Sequence, residues 1–187
     1  MKKFFKEQFT FSTVQVVTMG LLIALEVILN RFASINLWNL KIGFAFAPVM
    51  LAGMLLGPVK AGIVGVVSDL IGSLLFPSGA FFPGFALSAF IRGVLYGAVL
   101  YKKSTILNVT IAALINQFVI SLFVTSLWLS ILYGSPYWPL VVSRIVQVVP
   151  LFVVEIAVGS VMPKLIVERV APILNSKTNA KKKSATI

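Results

Sequence analysis

At 187 residues, 59% of them apolar and only 11% charged, with a mean hydropathy of +1.02, the chain has too few ionic groups to clothe a water-facing surface; a soluble domain carries about 25%. It contains no histidine and no cysteine, which removes imidazole bases, thiol nucleophiles, disulfides and the usual zinc sites. The net charge of +11 does not point to nucleic acid either, because the basic residues gather at the chain ends and in short gaps between apolar stretches.

A hydrocarbon layer about 30 Å thick takes roughly 20 apolar residues of helix. Six segments meet that need, at about 12–30, 43–57, 60–76, 81–101, 105–133 and 139–163. The first follows Lys2, Lys3 and Lys6 and continues through Glu26 and Asn30 with no small-residue cleavage site, so it reads as a retained span and not as a cleaved signal. Later breaks fall at Gly57-Pro58, at Phe76-Pro77-Ser78-Gly79, at Lys102-Lys103 and at Gly134-Ser135-Pro136. The second and third spans are short, and the fifth is long enough to tilt or to project beyond the bilayer. The expected fold is an all-α membrane protein, a compact bundle of six transmembrane helices within residues 1–170. The basic tail 171–187, rich in Lys, Ser and Thr, reads as disordered and drawn to anionic lipid.

Basic residues set the orientation. Twelve of the sixteen Lys and Arg fall on one set of alternate loops and ends, leaving Arg31, Lys41, Arg92 and Arg144 for the other side and the interior. The excess places both termini in the cytoplasm. Trp38, Trp128, Tyr133, Tyr137 and Trp138 mark one interface, and Phe4, Phe5 and Tyr101 the other.

A charge inside a bilayer costs at least about 2.5–3.5 kcal/mol on insertion scales, so Glu26, Asp69, Arg92, Arg144 and Glu155 each call for an explanation. At about 100° per residue, Gln15 and Glu26 share a face with Thr18 and Asn30, and Arg144 and Glu155 share one with Gln147. Asp69 continues a line of Gly57, Ala61 and Gly65, while Arg92 continues one of Gly84 and Ser88. Polar stripes aimed inward from several helices, with positives toward the outer half, suggest an outward-facing cavity with a positive mouth. Asp69 and Arg92 can instead neutralise each other between the third and fourth helices. Glu155, nearer the inner half, reads more readily as structural. Arg31 and Lys41 can be snorkelling interface residues, although their side of the membrane runs against the insertion bias.

The outer connection Phe76-Pro77-Ser78-Gly79-Ala80-Phe81-Phe82-Pro83-Gly84-Phe85 is too aromatic for a solvated turn. It can plug the bundle with apolar bulk or close over an aromatic, anionic ligand. Gly20 with Ala24, and Ala61 with Gly65, carry the small-residue spacing that lets another helix approach. The chain has no P-loop, no Gly-x-Ser-x-Gly elbow and no HExxH, so an enzyme is not expected. A polar cavity without its own engine needs an ion gradient or an energising partner, and no inverted repeat of the carrier type is evident.

Together the six short helices, Lys41-Ile42-Gly43-Phe44-Ala45-Phe46-Ala47-Pro48, the run from Gly57-Pro58 to Gly65-Val66-Val67-Ser68-Asp69-Leu70-Ile71-Gly72, and the 76–85 loop resemble the substrate-capturing S component of energy-coupling factor (ECF) vitamin transporters. The last two stretches are most similar to its folate-specific branch, and the likeness covers about 12–165. The resemblance implies a subunit of the cytoplasmic membrane of a Gram-positive bacterium that binds folate from outside. It implies association with a transmembrane coupling protein and two cytosolic ATPases, and no cofactor. The family's Ala-x-x-x-Ala contact with the coupling protein is here Gly20-x-x-x-Ala24, and Gly20, Ala24, Ala61 and Gly65 are the expected interface residues. For such a ligand, Arg31, Lys41, Arg92 and Arg144 suit carboxylates or a polar edge, Asp69 suits the pterin, and Phe81, Phe85 and Trp138 suit stacking and closure. Three rivals stay open: an S component for pantothenate, thiamine or riboflavin; a proton-coupled carrier relaying through Glu26, Asp69 or Glu155; and a non-transporting structural membrane subunit that binds no small molecule.

Overall fold

The computed structural model describes residues 11–36, 41–77, 79–101 and 103–172. The N-terminal lysines with Phe4 and Phe5, Trp38, the side chain of Lys41, Ser78, Lys102 and the tail from 173 lie outside the described residues.

Helix α1 (Thr13–Arg31) starts at a capping box, in which the Ser12 hydroxyl accepts from the Gln15 amide and Gln15 Oε1 accepts from the Ser12 amide, each at 3.3 Å. Two three-residue strands follow, β1 (Ser34–Asn36) and β2 (Lys41–Gly43), paired antiparallel with Ser34 opposite Gly43. This short hairpin is an addition to an otherwise helical fold, and its second strand ends at Gly43, where the second span was expected to begin. Helix α2 is Phe46–Leu56, and a left-handed Gly57 (φ 87°) turns the chain into α3, Pro58–Leu75. Helices α4 (Pro83–Leu100), α5 (Ile106–Tyr133) and α6 (Tyr137–Pro172) complete the bundle. Prolines open both α3 and α4, where a missing N–H costs nothing. Helix α5 widens to π-helix over Ile115–Val124, and α6 does so over Pro163–Val167.

All of these helices except α2 are long and apolar enough to cross a membrane. With 11 residues, α2 rises about 16 Å, roughly half a hydrocarbon core. It packs against α1, α3, α4 and α6, and every α2 residue except Leu55 is buried. Met50 and Met54 meet Tyr96, Leu100 and Val109 on one side, while Leu51 and Leu56 meet Met19, Leu22 and Val64 on the other. The apolar core therefore fills the Gly57 end of the bundle. Because α2 stops short, the opposite end, which carries the hairpin and the 76–85 loop, is left open inside.

The most extensive helix pair is α3 with α4. A Cβ on Gly93 would lie 2.2 Å from the Ala61 carbonyl oxygen, and one on Gly65 would lie 2.4 Å from that of Ala89. Ala61 and Gly65 are thus consumed inside the chain, packed against α4, which corrects their expected role as a surface for a partner. The outward faces are apolar, with Val17, Leu21, Leu74, Leu107, Val146 and Val153 exposed, while the polar residues of the same helices turn inward. That inversion of a soluble protein suits lipid.

Candidate ligand cavity

The open end of the bundle holds a cavity of about 300 Å³ whose wall draws on the hairpin, the 76–85 loop and every helix. That volume is at the lower end for small-molecule sites, which run to about 300–1,000 Å³. It has a charged rim, an aromatic flank and a polar floor.

At the rim, Arg31 ends α1 and donates from Nη2 to Ser73 Oγ at 3.1 Å. Ser73 in turn donates to the Asp69 carbonyl at 2.6 Å. Gly72 makes room for this arrangement, since a Cβ there would lie 2.9 Å from Arg31 Nε. Asp69 therefore shares the rim with Arg31. Arg92, the other residue of the expected ion pair, donates from Nε to Asn116 Oδ1 at 3.0 Å.

The aromatic flank comes from the loop and the start of α4. Phe82 packs edge-on to Phe85 with centroids 6.0 Å apart and lies 5.7 Å from Trp128. Trp128 is tied to α4 by a 2.9 Å bond from its indole N–H to Ser88 Oγ. Gly84 is required here, as a Cβ would fall 2.6 Å from both the Phe82 and Trp128 rings. Phe81 and Phe85 both line the cavity, and Phe81 remains half-exposed.

The floor is a network around Glu155, which is 0% exposed and lies behind the wall. Its Oε1 accepts from the Tyr96 hydroxyl at 2.6 Å; its Oε2 accepts from Asn116 Nδ2 at 3.0 Å and from Gln117 Nε2 at 2.7 Å. Arg92, Asn116, Gln117, Arg144 and Gln147 face the cavity from three helices. Glu26, buried on α1 and off the cavity wall, accepts from Asn30 Nδ2 at 2.9 Å.

Of the residues expected to contact ligand, Arg31, Asp69, Phe81, Phe85, Arg92 and Arg144 all line this one cavity. Trp138 does not; it is 68% exposed and packs edge-on to Tyr137, at the start of α6. Lys41 belongs to β2, beside the rim, with its side chain outside the described residues. Sequence reasoning missed Asn116, Gln117, Ser121 and Thr125, which line the α5 side. In an α-helix Asn116 and Thr125 point about 180° apart. The i→i+5 turns of the Ile115–Val124 stretch bring residues four and five apart onto one face.

An apolar exterior around a charge-lined cavity closed to one end defines a multi-pass membrane protein built to hold a small ligand. The family model for the ECF transporter substrate-specific component matches residues 14–171, and the chain belongs to that family. Its members are binding components of transporters and not enzymes. The chain is 44% identical over 130 residues to the folate transporter FolT of Clostridium novyi (strain NT), covering 69% of this chain and 76% of that protein. It is 31% identical over 132 residues to FolT of Streptococcus mutans serotype c, covering 66% and 71% respectively. Among solved structures it is similar to a crystal structure of FolT bound with folic acid, with a TM-score of 0.75 and 38% identity, over 81% of this chain and 92% of that one.

Proposed function

We propose that this chain captures folate from outside the cell as an S component and delivers it inward with an ECF module. That module comprises a transmembrane coupling protein and two cytosolic ATPases, in the cytoplasmic membrane of a Gram-positive bacterium. In this reading the chain crosses the membrane six times, α2 together with the chain leading into it making the second crossing, and both termini lie in the cytoplasm, so that the open end faces outward. The observation that carries it is the likeness to FolT bound with folic acid, in a chain whose own cavity holds arginines at rim and floor and phenylalanines between.

Burying two carboxylates costs far more than burying a neutral heterocycle. The pterin therefore enters first, toward the floor, and the glutamate tail stays near water. Arg31 and Lys41 meet the tail carboxylates, where guanidinium-carboxylate bonds are strongest. Asp69 accepts an N–H of the ligand, Phe81 and Phe85 stack on its ring system, and Arg92 and Arg144 donate to its carbonyl and ring-nitrogen acceptors.

Equilibrium binding of folic acid to the purified chain in detergent tests this directly. Sub-micromolar binding is expected. Failure to bind any oxidised or reduced folate at micromolar concentration overturns the substrate assignment and leaves the family unaffected.

A further inference from the structure

Glu155 touches no part of the cavity surface, yet two cavity residues and, through one of them, a third are anchored on it. Three donors converge on the two oxygens of Glu155, which act here as acceptors. Each amide that meets it must therefore present its NH2 end, which fixes which way round Asn116 and Gln117 stand. Asn116 has its NH2 held by Glu155, and so turns its carbonyl oxygen to Arg92 Nε. That bond uses the Nε of Arg92 and leaves its terminal nitrogens as donors on the cavity wall. Gln117 has its NH2 held too, and its Oε1 has no hydrogen-bond partner among the described residues although the side chain is only 4% exposed. A buried acceptor left open in this way is costly unless something completes it.

From this arrangement we infer that Glu155 is a positioning residue that fixes the hydrogen-bonding polarity of the cavity floor, making it a donor (Arg92) beside an acceptor (Gln117 Oε1), and that this pair reads a neighbouring C=O and N–H on the ligand. Resting on the folate reading above, that edge is the 4-oxo group and N3–H of the pterin. The floor then discriminates against a 2,4-diaminopteridine, in which an amino group replaces the oxo group and N3 carries no hydrogen. Such an analogue sets a donor against Arg92 and an acceptor against Gln117. A site built for a hydrogen bond rejects a ligand of the wrong polarity far more sharply than a shape-matched apolar pocket can. Tyr96 secures the other oxygen of Glu155, so the carboxylate cannot swing away from the amides.

The test is the ratio of dissociation constants for aminopterin and folic acid, measured on the full chain in detergent alongside thermal stability. The wild type is expected to favour folic acid at least tenfold. In Glu155→Leu neither amide keeps its acceptor, Asn116 and Gln117 are released to turn, and the ratio falls by about tenfold, the loss of one or two matched bonds. Gln117→Met removes the floor acceptor while Glu155 still holds Asn116, and lowers the ratio in the same direction. The double variant falls at least as far as either single one but by less than their sum, because Glu155 acts partly through Gln117. If Glu155→Leu does not fold, Glu155→Asp, whose shorter side chain withdraws the carboxylate from the amides, lowers the ratio in its place. A role for Glu155 in packing alone would lower thermal stability and weaken both ligands equally, with the ratio unchanged, and that result overturns the inference. So does a wild type that binds folic acid and aminopterin alike. If folic acid itself fails to bind, it is the folate reading that falls.

Discussion

Arg144 and Trp138 lie six residues apart on the same helix and are expected to behave in opposite ways. Arg144 is 5% exposed and lines the cavity; Trp138 is exposed, against Tyr137 and away from it. In the folate reading, replacing Arg144 by Met removes a buried charged donor to the pterin's acceptors, a loss of about 1.5–3 kcal/mol. Folic acid binding, read by titration calorimetry, should weaken by one to two orders of magnitude. Trp138→Leu should leave the affinity within about twofold, as befits an aromatic at a membrane interface. Asp69, Arg92 and Arg144 were legible because an ion within an apolar stretch has a cost that demands a reason, and Arg31 because a positive charge on that side of the membrane runs against the insertion bias. Asn116, Gln117, Ser121 and Thr125 carry no charge; Gln117, Ser121 and Thr125 do follow one another at i, i+4 and i+8 on a single helical face, a polar stripe the sequence offered, whereas Asn116 stands about 180° from Thr125 in an α-helix and joins them only through the π-helical winding. Glu155 was visible as an intramembrane acid, but its attachment to two neighbouring amides on α5 is a tertiary fact.

Among the elements, helix ends were readable wherever proline or glycine marks them: Pro58, Pro83 and Gly134 bound helices within a few residues of the expected breaks. The hairpin was not, because three-residue strands are too short to show alternation. Nor was the π-helical stretch of α5, where a run of apolar residues fits either winding. The α3–α4 contact offers a sharp test at this scale. Glycine at 93 is demanded by the Ala61 carbonyl 2.2 Å from where a Cβ would stand, and backbone cannot move aside as a flexible side chain can. Gly93→Val should therefore push the two helices apart, with an overpacking cost of about 1–3 kcal/mol or more. Thermal unfolding in detergent should shift down by several degrees. Arg92 lies one residue away on α4, so folic acid affinity should fall in the same variant, whereas a helix pair irrelevant to the cavity would lower stability alone.

At the level of the whole molecule, an exterior that is apolar on nearly every helix leaves few places for a protein partner to gain a foothold other than by shape. Gly20 and Ala24, about 40° apart on α1, provide one. Both are exposed, and a Cβ added at Gly20 meets nothing within 4 Å, in contrast to the filled spaces around Gly65 and Gly93. Around them Val17, Leu21 and Ile28 form an apolar surface suited equally to lipid and to a helix. Small residues in such a setting allow close backbone approach, where packing rather than water exclusion drives association. Gly20→Leu fills that space without disturbing the interior. It should leave folic acid binding to the purified subunit unchanged and abolish ATP-driven uptake in vesicles that also contain the coupling protein and ATPases. Uptake that survives the substitution would mean the module docks elsewhere. Uptake by the lone chain under a proton gradient would mean that no module is needed.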